Sequence, residues 1–164
     1  MLYWLHHLRT TNRIYRMNLI SQYTAQRLGF AGLAPFIVLT VMALLDLQGE
    51  LAMTLFILYS AIIFSFLGGI HWGLCMTDDD RDHRRSLQWS MVPSVTGFAV
   101  LVATQLPICR DSTLSFLAVL ALLHLFWLNY ERRKLSAHAW YLELRGRLTF
   151  TVVALHVILL IISL

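Results

Sequence analysis

The chain has 164 residues, 58% of them hydrophobic and only 13% charged, with a mean hydropathy of +0.65. That balance excludes an ordinary water-soluble domain. The net charge of +4, from 13 Lys+Arg against 9 Asp+Glu, does not point to nucleic acid, because the basic residues cluster between apolar runs as they do in membrane proteins.

Residues 1–28 set Leu2, Trp4, Leu8, Tyr15, Leu19 and Tyr23 among arginines, with no acidic residue before Asp46. This predicts a basic amphipathic segment lying in the interface against anionic lipid. No apolar core long enough for a secretory signal precedes Gly29. The acid-free, arginine-rich start also has the composition of a mitochondrial transit sequence, and Met17 is a second candidate start.

Crossing a bilayer takes about 20 apolar residues in a helix, and five stretches qualify. They are residues 29–47, 51–76, 87–106, 114–130 and 148–164. The first opens with Pro35 in its first turns and closes at Asp46-Leu47-Gln48-Gly49-Glu50, while the third contains Pro93 and stops before Pro107. The runs are continuously apolar, without the alternation of barrel strands, so an all-α bundle of five transmembrane helices is expected, preceded by the 1–28 segment.

Orientation follows from the connections. Arg9, Arg13, Arg16 and Arg27, then Arg81, Arg84 and Arg85, then Arg132, Arg133, Lys134, Arg145 and Arg147 fall on one side, against Arg110 alone on the other. The expected N-terminus is therefore cytoplasmic and the C-terminus outside. Cys75 and Cys109 then face opposite sides, and no disulfide joins them.

In the second stretch, Ala61, Ser65, Gly69 and Gly73 recur every four residues, a small-residue stripe expected to receive another helix. His71 leaves that stripe and shares a face with Cys75 and Asp78. With His124 and His156 it makes three histidines inside spans, about 7, 9 and 12 Å from the inner ends of the stretches as drawn, at 1.5 Å per residue. Ionisable groups within a membrane are costly. The three histidines with Cys75 are a candidate intramembrane polar site for haem, a metal or a quinone; the alternative is neutral rings bonded to neighbouring helices.

Asp78, Asp79 and Asp82 make a DDxxD spacing, the one with which polyprenyl transferases hold magnesium and diphosphate. Such chemistry needs a second acidic cluster, and Glu131 and Glu143 are the only other acids on that face, so a solvated mixed-charge loop accounts for the run. The connection through Asn129–Lys134 and Trp140–Arg147 is basic and aromatic, as expected for headgroup anchoring.

Leu28–Phe36, the stretch Phe64-Ser65-Phe66-Leu67-Gly68-Gly69-Ile70-His71-Trp72-Gly73, and Trp140-Tyr141 followed by Arg145, Leu148 and Thr149 resemble a family of small multi-span proteins of unknown function. That family occurs in bacteria and, as a mitochondrial transmembrane protein, in animals. The resemblance covers about residues 28–160 and implies a bacterial or mitochondrial inner membrane, without transferring an activity.

The spans as drawn hold no carboxylate, so the relays of ion-coupled carriers are not apparent beyond the histidines. The leading expectation is a non-enzymatic accessory or assembly component that packs with other membrane proteins or with copies of itself. Haem, metal or quinone binding centred on His71 with His124 or His156 is the second, and lipid processing at the acidic loop the third.

Overall fold

The computed structural model describes residues 20–76, 84–107, 112–135 and 138–163, all helix and connecting turns without a strand among them. Five helical stretches are long and apolar enough to cross a membrane: Ile20–Leu44, Gly49–Met76, Arg84–Gln105, Thr113–Lys134 and Ala139–Ile162. The first is interrupted by a turn at Gly32-Leu33 and the third at Met91, so seven helices are distinguished. These are α1 (20–31), α2 (Ala34–Leu44), α3 (Gly49–Met76), α4 (Arg84–Ser90), α5 (Val92–Gln105), α6 (Thr113–Lys134) and α7 (Ala139–Ile162).

Two compact units divide the chain, one through Ala34 and one from Pro35 onward. In the first, α1 carries Ile20, Tyr23 and Leu28 on its exposed surface, and the Arg27 guanidinium lies 5.7 Å from the Tyr23 ring. Its last turn closes through the Gly32 amide, which donates to the Leu28 carbonyl at 3.0 Å. Of the 1–28 segment, residues 1–19 lie outside the described residues, as do Asp78, Asp79, Asp82 and Cys109.

In the second unit, the turn between α2 and α3 falls where the sequence predicts it. Asp46 and Gln48 take left-handed backbone angles, φ 51° and 53°, and the Leu47 amide reaches back to the Met42 carbonyl at 2.9 Å, closing the orphaned carbonyls of α2.

At 28 residues α3 is about 42 Å long, enough to span with tilt. It is the central element, touching α4, α5 and α6, while α6 packs along α7. Against α5 the backbones close tightly. A Cβ on Gly97 would lie 2.8 Å from the Ala61 carbonyl, and one on Gly68 would overlap the Ser90 carbonyl oxygen. Ser65 Oγ donates to Ser94 Oγ at 3.1 Å across the same seam. The break between α4 and α5 thus rests on Gly68, with Pro93, which has no amide hydrogen to donate, 3.3 Å from the same point.

The small-residue stripe is divided: Ala61 and Ser65 meet α5, whereas Gly69 and Gly73 are exposed, with nothing among the described residues within 4 Å of their Cβ positions, and Gly68 and Gly97 make the close approaches inside the bundle. A correction concerns the helix ends. α6 runs on to Lys134, and α7 begins at Ala139 rather than near Leu148, so the arginine-rich segment expected as a connection is helical. The α6–α7 turn is correspondingly short, closed by the Leu135 amide on the Glu131 carbonyl at 2.8 Å.

Candidate functional site

One face of α3 presents Phe56, Ser60, Phe64, Leu67, His71 and Cys75 at helical spacing, all buried. Opposite stand His124, Trp127, Leu128 and Glu131 of α6 and Arg145, Thr149, Val152 and His156 of α7. The contacts form a ladder. At one end Ser163 Oγ donates to Met53 Sδ at 3.3 Å; at the other, His71 and Trp89 pack on Tyr130 with ring centroids 5.3 and 5.7 Å away.

In the middle of the ladder His124 and His156 meet on one hydroxyl. Ser60 Oγ is 3.2 Å from His124 Nε2 and 3.0 Å from His156 Nε2, and the two imidazole centroids are 5.9 Å apart. His156 Nδ1 donates to the Val152 carbonyl at 2.8 Å. The edges of Phe56 and Phe64 close over His156 and His124 at 4.7 and 5.5 Å between centroids. All three polar side chains are almost wholly buried, so their bonds to one another act in a low-dielectric setting.

His71 belongs to a different level. It is fully buried, with Trp127 edge-on at 5.6 Å, and neither ring nitrogen has a hydrogen-bond partner among the described residues. The rings of Phe64 and Trp127, 6.4 Å apart, fill the space between His71 and the other two histidines. A single layer of three histidines is therefore corrected: His124 and His156 share one level through Ser60, and His71, eleven residues further along α3 than Ser60, stands about 16 Å from it along that helix. Cys75 is buried one turn beyond His71, and no three His, Cys, Asp or Glu among the described residues are grouped to hold a metal.

A third polar group escaped the sequence reading. Glu131, fully buried on α6, accepts from Tyr141 Oη at 2.8 Å through Oε1 and from Arg145 Nε at 3.1 Å through Oε2. Arg145 Nη1 also donates to Thr149 Oγ1. A buried carboxylate therefore lies in the last turns of a span-like helix, with Arg145 as its buried ion-pair partner. The missed signal was periodic: Tyr141, Arg145 and Thr149 recur every four residues, then Val152 and His156 continue the same face. By contrast, the Arg147–Glu143 pair at 2.6 Å is on the exposed surface, where such pairs contribute little.

Exposed Arg84, Arg85, Arg132, Arg133, Lys134 and Arg147 cluster around the end of the ladder where Tyr130 meets His71 and Trp89. The described residues thus combine an apolar outer surface, a basic end, and the buried His124–Ser60–His156, His71 and Glu131–Arg145 groups. Comparisons with curated proteins and with solved structures give no match. A family model described as a protein of unknown function (DUF3429) matches residues 21–161, most of the chain. This protein, a chain with five membrane-span-like helices, belongs to that family of unknown function.

Proposed function

We propose that the chain is a non-enzymatic component of an inner membrane, bacterial or mitochondrial, that acts by packing against a transmembrane helix of another membrane protein. The observation that carries this reading is the outward Gly69–Gly73 step of α3. The small-residue pattern is one that lets helices approach closely in lipid, and among the described residues nothing lies within 4 Å of a Cβ at either glycine. Exposed Ile62, Phe66 and Trp72 flank it and would supply the contact area. The basic end sits at the cytoplasmic or matrix face against anionic lipid, with the N-terminus on that side.

Mild-detergent extracts of native membranes test this. The protein is expected in an assembly larger than its own 18.9 kDa, and Gly69→Ile with Gly73→Ile is expected to return it to single-chain size with an unchanged thermal midpoint. An assembly of unaltered size overturns the reading. If the assembly contains only this chain, the partner is a second copy.

His71 favours a second reading, a bound lipophilic group, because a buried imidazole whose two nitrogens have no partner among the described residues invites a ligand. A haem held jointly by His71 and either other histidine would require the Phe64 and Trp127 rings to move. A visible spectrum or stoichiometric quinone in the same preparation would favour this second reading.

A further inference from the structure

The bonds around Ser60 have a direction. A carbonyl can only accept, so His156 carries a proton on Nδ1 to reach the Val152 oxygen at 2.8 Å. In the neutral ring its Nε2 is then bare and must accept the Ser60 hydroxyl proton at 3.0 Å. Having spent its one proton there, Ser60 Oγ can only accept from His124, which therefore holds its proton on Nε2 at 3.2 Å. His124 Nδ1 is left as a bare acceptor, buried and without a partner among the described residues.

We propose that Ser60 links His124 and His156 into a proton relay in the membrane interior, in which a proton taken up at Nδ1 of His124 emerges as positive charge on His156. The step balances without a further reactant beyond the incoming proton. As His124 Nδ1 is protonated from hydronium or a protonated water chain, its Nε2 proton passes to Ser60 Oγ, and the Ser60 proton passes to His156 Nε2. Afterwards His124 is neutral again but protonated on Nδ1, Ser60 donates back to its bare Nε2, and His156 is an imidazolium donating to both Ser60 and the Val152 carbonyl. Every bond of the starting arrangement survives with its direction reversed, except that to Val152, which becomes charge-assisted.

The surroundings favour His156 as the resting place of the charge. The rings packed on the pair from α2, α3 and α7's neighbours are Phe36, Phe56 and Phe64, none of which titrates. The nearest charged groups described on α6 and α7 are Glu131 and its partner Arg145. Arg145 is eleven residues from His156, about 16 Å along α7, whereas Glu131, its bonded partner, is seven residues from His124, about 10 Å along α6. The Glu131 carboxylate and the Arg145 cation offset one another as a bonded pair, so what distinguishes the two rings is the Val152 carbonyl, which accepts from His156 Nδ1 and steadies an imidazolium there.

Nitrogen-15 spectra of histidine-labelled protein in bilayers, assigned with His124→Gln and His156→Gln, read each ring's protonated nitrogen directly. At mildly alkaline pH, Nε2–H on His124 and Nδ1–H on His156 are expected. On acidification one proton should change both rings together, with His124 switching to Nδ1–H as His156 becomes imidazolium. Ser60→Ala should uncouple them and Ser60→Thr, which keeps a hydroxyl, should restore the coupling. His124 becoming imidazolium while His156 keeps its neutral form, coupling that persists in Ser60→Ala, or no change in either ring before the helices unfold would each overturn the relay. The wild-type spectra alone decide it should Ser60→Ala not fold.

Discussion

Glu131 and Arg145 show how a charged pair can be held inside an apolar bundle. Oε1 of the carboxylate is taken by Tyr141 and Oε2 by Arg145, and the guanidinium reaches on to Thr149, so α6 and the first turns of α7 are tied by bonds that lipid cannot replace. A buried pair stabilises little relative to apolar residues of similar volume, but breaking it strands a charge, at about 3–5 kcal/mol. Arg145→Met and Glu131→Leu are each expected to lower the thermal midpoint in detergent by roughly ten degrees. The double variant should sit closer to wild type than either single one, because no charge is left without its partner. Midpoints that simply add would show that the pair is not coupled.

The sequence concealed this pair for a physical reason. Arginine in a membrane chain usually marks the headgroup region, and Arg145 lies between Glu143 and Arg147, which do face the exposed surface. Only the period of four through Tyr141, Arg145 and Thr149 separates the buried charge from its exposed neighbours. The three histidines were legible as intramembrane groups because their flanks are apolar. Their pairing was not, since it depends on Ser60, a residue that gives no signal of its own within an apolar run.

At the scale of helices, apolar length was a sufficient guide to the number of spans, and the Asp46–Glu50 turn was visible from its residue types. The close contacts were less legible. Two adjacent glycines, Gly68 and Gly69, differ by about 100° around α3, and periodicity alone does not show which of them meets the chain's own backbone. Gly68 faces the Ser90 carbonyl, which is backbone and cannot rotate aside, while Gly69 faces open space. Gly68→Ala is therefore expected to cost about 1–3 kcal/mol through displacement of the α4–α5 break. Gly69→Ala should be neutral or slightly stabilising, since alanine is the better helix former. Thermal unfolding of the two variants side by side measures this, and equal midpoints would mean that the break does not bear on Gly68.

For the whole molecule, the buried groups are unevenly placed with respect to the basic end. The Glu131–Arg145 pair and His71 lie near it, and the His124–Ser60–His156 cluster lies deeper, at about the middle of α6. Which aqueous phase is nearer to each group therefore depends on orientation. Burial of Arg145 removes one residue from the count of anchoring cations, but Arg84, Arg85, Arg132, Arg133, Lys134 and Arg147 remain exposed at that end. Their excess predicts that this end is retained on the cytoplasmic or matrix side. Single cysteines at Arg133 and at Gln48, introduced into a chain whose Cys75 and Cys109 are replaced, should label oppositely with an impermeant thiol reagent in sealed right-side-out membranes. Gln48→Cys is expected to react from outside, and Arg133→Cys only after the membrane is opened. The reverse pattern would place Glu131 and His71 toward the outer phase.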